Sequence, residues 1–341
     1  MKRPRRAPAA GMNRLRVLAV SVALALAAIV IALVAIGSGD YPMSLPDVVR
    51  TLFGHGSPAD EFIVQELRLP RVVTALTTGA ALALAGALFQ SLVRNPLGSP
   101  DVLGFTQGSA TGGLIAVVVF GGGTTAVATG SVLSAIATGA AIYLLAWRGG
   151  GHGHRLILVG IGVAGILTGV NSYLLIKANI VDAARAVLWL TGSLDGRGWG
   201  QAAIAGGALV LLTPVVVALG QALANLELGD DPARGLGVNV GFFRLTALAC
   251  AVLLAAAASA AAGPVLFVAL TAPQLARRLT GASGPNLMAS LFMGAAMLTG
   301  ADVLAQRLFP GHQLPVGVVT GLLGGGYLIV LLARTARRAR V

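Results

Sequence analysis

Residues 17–36 run for twenty positions without a charged side chain, Ser21 being the lone hydroxyl. At about 1.5 Å per helical residue such a run spans roughly 30 Å, one hydrocarbon core of a bilayer. It is longer than the apolar stretch of a secretory signal and lacks a clear small-residue cleavage site, so an uncleaved first span is expected. Comparable apolar runs follow at 72–92, 102–120, 124–147, 156–176, 200–219, 242–262, a short 264–276, 286–305 and 315–333. The segment 182–190 reads as a short interfacial helix. The expected fold class is therefore an all-α polytopic membrane protein with about ten transmembrane helices.

Composition agrees: 56% of the 341 residues are hydrophobic and 11% are charged, whereas a soluble domain carries about 25% charge. With 47 glycines, close backbone approach between helices is expected to carry much of the packing. Gly108 with Gly112, and Gly165 with Gly169, have the required spacing. The net charge of +12 would favour nucleic acid on a soluble protein. Here the charges stand at the ends of apolar runs, so no nucleic-acid partner is expected and membrane orientation accounts for them better. With ten crossings, 17 of the 24 Lys and Arg fall on the side of the N-terminus; the other seven are Arg50, Arg68, Arg71, Lys177, Arg185, Arg197 and Arg307. By the positive-inside bias both termini are cytoplasmic. The chain divides into a basic tail (1–16), a transmembrane permease domain (17–333) and a second basic tail (334–341).

The sequence lacks G-x-x-x-x-G-K-[ST], H-E-x-x-H and G-x-S-x-G, so the common phosphate-binding and hydrolase arrangements are not expected. Cys250 is a lone thiol inside an apolar run. His152 and His154 lie in a Gly-rich loop without a nearby acid, and His55 and His312 are isolated. Neither an enzyme, a metal site nor a cofactor is expected. Acids within spans mark ion-coupled carriers, and Asp302 is the one acid inside the spans drawn above. Its expected role is pairing with Arg307 or capping backbone, and an ion-coupled secondary transporter of a small solute stands as the rival reading.

Three polar stretches interrupt the apolar pattern: 67–71 before the second span, 94–101 after it, and 226–237 between the sixth and seventh. In the last, Asp231 is a suitable N-cap, Pro232 suits the first helical position, and Gly235 or Gly237 can end the helix. A short rigid helix between two spans can transmit a push from a partner; a plain connecting loop is the simpler alternative.

These stretches resemble the FecCD-type permeases, the membrane subunits of ABC importers for iron-siderophores, haem and vitamin B12. The resemblance covers roughly residues 66–332. It rests on Arg68-Leu69-Pro70-Arg71, Gly86-Ala87-Leu88-Phe89-Gln90, Asn95-Pro96-Leu97-Gly98-Ser99-Pro100, Leu103-Gly104, Trp189-Leu190-Thr191-Gly192-Ser193-Leu194, Phe267-Val268, Ala301-Asp302 and Leu314-Pro315-Val316-Gly317. It implies a ten-helix subunit of type II ABC importer architecture, dimerised with a second permease around the pathway for an iron(III)-siderophore or similar metal chelate. It implies cytoplasmic ATP-binding subunits docked on Leu228, Gly229, Asp230, Asp231, Pro232, Ala233, Arg234, Leu236 and Gly237. An extracytoplasmic substrate-binding protein would dock on Arg68, Arg71 and Arg307, whose bidentate guanidinium forks suit carboxylates; interfacial snorkelling is the alternative for Arg68 and Arg71. Asn95, Pro96, Leu97 and Pro100 would form gate or pathway structure. Three departures stand out. Gln274 follows Pro273 where the family often has histidine. Gln306 occupies the place of a family arginine, with Arg307 next to it. Gly324-Gly325-Gly326 replaces Gly-Ala-Pro.

Overall fold

The computed structural model describes residues 10–39, 41–147, 153–309 and 313–339. Most of the first basic tail, His152 and His312 lie outside the described residues.

Every regular element among the described residues is helical. The ten expected spans correspond to α1 (Ala10–Gly37), α4 (Leu69–Val93), α5 (Phe105–Val118), α6 (Thr124–Trp147), α7 (Gly153–Lys177), α9 (Trp199–Ala218), α12 (Val240–Ala262), α13 (Val268–Thr280), α14 (Leu287–Arg307) and α15 (Val316–Ala339). Among the described residues, seven are long and apolar enough to cross a bilayer. With 14 and 13 residues, α5 and α13 reach only about 20 Å, so the count of ten holds for helices and not for complete crossings. Between the spans lie α2 (Leu45–Leu52), α3 (Pro58–Glu61), a π-helical turn (Phe62–Arg68) leading into α4, α8 (Ile180–Leu190), α10 (Gly220–Glu227) and α11 (Asp230–Gly235). The segment expected as an interfacial helix is α8.

The centre of the bundle is α4, against which α9, α12, α13 and α14 pack. Small residues allow this. A Cβ at Gly86 would overlap the carbonyl oxygen of Ala269 on α13. Gly112 seats α5 on the Gly130 carbonyl of α6 in the same way and Gly108 makes room for the Thr138 side chain, whereas a Cβ at Gly165 or Gly169 on α7 would meet nothing within 4 Å. Of the two expected packing pairs, one is used within the chain.

One end of the bundle gathers the start of α1, the ends of α4 and α13, and α10 and α11, and is called the basic end below. There Arg16 Nε and Nη2 donate to the Leu279 carbonyl at 3.2 and 3.0 Å, satisfying the end of α13. At the opposite end, three segments distant in sequence meet backbone to backbone. Ser193 N donates to Ala262 O at 2.9 Å, and Gly317 N donates to Gly192 O at 3.0 Å. A Cβ at Gly317 would overlap Thr191 O, and one at Gly263 would overlap Trp189 O. Gly324 lies against the Phe267 side chain with the same lack of room, so the glycine run on α15 gives closer packing at its first position; Gly325 and Gly326 face open space.

Candidate coupling and docking sites

The stretch 226–237 folds as the end of α10, a bend and the six-residue α11. The N-cap is Gly229, not Asp231 as expected from sequence, and Pro232 stands at the third helical position rather than the first. The cause is Asp230. Its carboxylate accepts from Arg94 Nη2 at 2.9 Å and from Arg244 Nη1 and Nη2 at 2.8 and 2.7 Å. Drawing Asp230 between these arginines starts the helix two residues earlier. The bend before it needs φ 124° at Gly229, a conformation open to glycine alone. Gly237, at φ 81°, closes the element with the left-handed geometry expected there.

Asp230 thus joins α11 to the end of α4 and the start of α12. Ala233 is fully buried beneath the helix, while Leu228 and Leu236 are 66% and 61% exposed. Asp231 and Arg234 pair with each other at 2.9 Å and both face outward. An exposed i,i+3 pair of this kind is worth at most a few tenths of a kcal/mol, so the two side chains can be re-paired cheaply. The outer face is two bare leucines flanking an ion pair, a shape suited to a groove on another subunit. Behind it, Glu227 accepts from Ser91 Oγ at 2.9 Å and Arg277 Nη2 at 3.4 Å.

The stretch 94–104 turns back into the bundle. Arg94 is the left-handed cap of α4 at φ 54°. Asn95 Oδ1 accepts from Leu97 N at 2.9 Å, and the Pro96 carbonyl accepts from Gln274 Nε2 at 2.7 Å. Tyr327 Oη on α15 donates to Gln274 Oε1 at 3.4 Å. Pro100 is buried and its carbonyl receives Phe105 N at 3.1 Å, while Leu97 remains 39% exposed. Asp101 Oδ1 accepts from Thr106 Oγ1 at 2.6 Å, and Phe105 stacks on Phe89 with centroids 5.1 Å apart. Gln274, at the position where the family often has histidine, therefore ties the returning loop to α13 and α15. A cavity of about 230 Å³ opens beside it, lined by Gln90, Arg94, Asn95, Pro96, Glu227 and Arg277.

At the opposite end the three candidate arginines differ. Arg68 Nη1 and Nη2 donate to the carbonyls of Ile36 and Tyr41 at 2.7 and 2.6 Å, holding the end of α1. Arg71 grips Asp302 with Nε and Nη2 at 3.0 and 2.9 Å, and its Nη1 reaches Gln313 Oε1 at 2.9 Å. The Arg71 and Asp302 side chains are 14% and 2% exposed, so the expected pairing of Asp302 with Arg307 is replaced by one with Arg71. Helix geometry explains it. Five residues turn an α-helix by about 500°, which puts Arg307 some 140° around from Asp302, whereas Gln306 at four residues lies within about 40°. Gln306 Nε2 accordingly donates to Asp302 Oδ2 at 2.8 Å. Arg307 is exposed and has no ion-pair partner among the described residues. Nearby, Arg197 donates Nε to Ser193 O at 3.0 Å; burial lowers its pKa from the ordinary arginine value, and Asp195 opposes that shift.

Sequence reasoning missed the Arg94–Asp230–Arg244 junction, the Gln274 clamp and the Gly229 cap. Of these only the last had a local signal, a glycine beside two acids.

The family model described as the FecCD transport family matches residues 13–334. The ferric enterobactin transport system permease protein FepG of Escherichia coli (strain K12) is 44% identical over 95% of this chain and 98% of its own length. The achromobactin transport system permease protein CbrC of Dickeya dadantii (strain 3937) is 36% identical over 92% and 91%. A metal-chelate type ABC transporter solved in an inward-facing conformation superposes with a TM-score of 0.83 at 29% identity, covering 92% of this chain and 98% of that one. With a central α4, an anchored α11 and these relatives along nearly its whole length, the chain belongs to the FecCD transport family.

Proposed function

We propose that this transport permease carries a ferric siderophore or similar iron(III) chelate through a bacterial cytoplasmic membrane, paired with a second permease and driven by separate ATP-binding subunits. The names of its relatives support the cargo class: ferric enterobactin, achromobactin and Fe(3+)-citrate systems are among them. The observation that carries the coupling role is the two-sided build of α11. Its inner side is held by Asp230 between Arg94 and Arg244, and its outer side offers Leu228, Leu236, Asp231 and Arg234. A push on that face passes through Asp230 to α4 and α12 together. The basic end, by its excess of arginine, is the cytoplasmic end, with both termini there. An extracytoplasmic binding protein presenting carboxylates would meet Arg307 first, and Arg68 and Arg71 only where it competes with their internal partners.

The work of import lies in the different affinities of the ATPase and binding protein for two states of the bundle, so the permease needs no catalytic group. The test is reconstitution with the ATPase, the second permease and the binding protein. ATP-dependent uptake of a ferric siderophore is expected. Asp231→Ala with Arg234→Ala should leave the complex assembled while uptake per ATP hydrolysed falls severalfold. Uptake by the lone chain on a proton gradient would establish the secondary-carrier reading instead.

A further inference from the structure

On the outside of the bundle at the basic end, the first turns of α1 stand away from the start of α14. The gap is a groove of about 670 Å³. Leu18, Val22 and Leu26 on α1 and Met288 and Phe292 on α14 wall it, and Arg14 stands at its mouth. The positions Arg14, Leu18, Val22 and Leu26 recur every four residues, one stripe of the helix. They cover about 18 Å of axis, slightly more than half of a hydrocarbon core of roughly 30 Å. The groove therefore runs the depth of one leaflet. Its α1 wall faces outward, with Leu18 62%, Val22 49% and Leu26 58% exposed.

The polar groups at the mouth are unequal. Arg16 is committed to the Leu279 carbonyl. Asn286 donates to the carbonyls of Ala282 and Gly284 at 3.1 and 2.9 Å. Arg14 is exposed and has no ion-pair or hydrogen-bond partner among the described residues. An unneutralised cation at headgroup level, above an apolar slot one leaflet deep, complements one molecule in particular: a phospholipid with a net negative headgroup. We propose that the α1–α14 groove is a binding site for an anionic phospholipid, an acyl chain lying between the two helices and the phosphate facing Arg14. A neutral headgroup would leave the Arg14 charge uncompensated, and a free phosphate would leave the slot unfilled. The inference does not depend on the identity of the cargo.

The experiment is native mass spectrometry of the full-length chain in its assembled transporter, titrated with dioleoylphosphatidylglycerol or dioleoylphosphatidylcholine. The wild type should retain one phosphatidylglycerol in preference to phosphatidylcholine. Arg14→Gln should weaken that binding about fivefold and leave phosphatidylcholine unchanged, the effect of one cation near an anionic surface. Ala25→Trp, which places an indole in the groove, should lower retention of both lipids. The intact mass of each variant complex reports that it is assembled. Equal retention of the two lipids, or unchanged binding by Arg14→Gln, would overturn the proposal. So would displacement by glycerol phosphate, which marks a headgroup-only anion site. A gain of phosphatidylglycerol on deleting residues 2–9 would overturn it as well, because the tail would then be the occupant.

Discussion

Helices α4 and α7 look alike on paper: each is 25 residues long, apolar and interrupted by glycine. In the fold they are opposites. Within its most apolar 18-residue stretch the span that includes α4 is 83% buried, whereas that of α7 is 11% buried. A Cβ at Gly79 or Gly86 of α4 would overlap backbone on α14 or α13; one at Gly162, Gly165 or Gly169 of α7 would meet nothing within 4 Å, although one at Gly160 would press on Leu103. Hydrophobicity in a membrane chain reports that a helix avoids water. It does not report whether the helix meets protein or lipid, because in that solvent both are apolar. What separates the two helices is how far their small residues are matched by a facing backbone: Gly79 and Gly86 of α4 both have that match, whereas on α7 Gly160 has it, against Leu103, and Gly162, Gly165 and Gly169 do not.

The contrast can be broken first at Arg71, the polar anchor of α4. Arg71→Gln leaves the Asp302 carboxylate buried without its cation, which should cost about 3–5 kcal/mol and lower the thermal midpoint and membrane yield of the purified protein. Replacing both partners by leucine should restore most of that loss; a double variant as unstable as the single one would show that the pair does more than neutralise itself. Gly86→Ala comes next. Its methyl group must displace the Ala269 backbone, at about 1–3 kcal/mol, seen in the same melting experiment. The smallest effect on stability is expected at Gly165→Leu on α7, within about 0.5 kcal/mol, since the side chain enters open space. There the loss should appear in co-purification with the proposed second permease, and unimpaired assembly would mean that α7 faces lipid alone.

The spans were legible because an apolar run of about twenty residues has few alternatives. The short run 264–276 was legible as a helix, but it was counted among the ten crossings, and the 13 residues of α13 reach only about 20 Å. Partners were a different matter. Arg71 and Asp302 stand 231 residues apart, Arg94 and Asp230 stand 136 apart, and nothing local records either meeting. Asp302 was assigned to Arg307 because sequence proximity was the available guide, and the helix rotates that neighbour away. Asp231 is a chemically sound N-cap, but Asp230, gripped by two arginines, decided where the helix begins. Arg68 shows a further limit. Its partners are the carbonyls of Ile36 and Tyr41, and backbone acceptors leave no trace in the residue pattern.

The junction of Gly192, Gly263 and Gly317 has a mechanical consequence. Where three strands of backbone press directly on one another, no side chain is present to change rotamer and absorb a displacement. The seam behaves as a weld and not as a hinge. A tilt of α15 must drag the loop after α8 and the break between α12 and α13 along with it, so whatever bends during a transport stroke bends elsewhere along the chain.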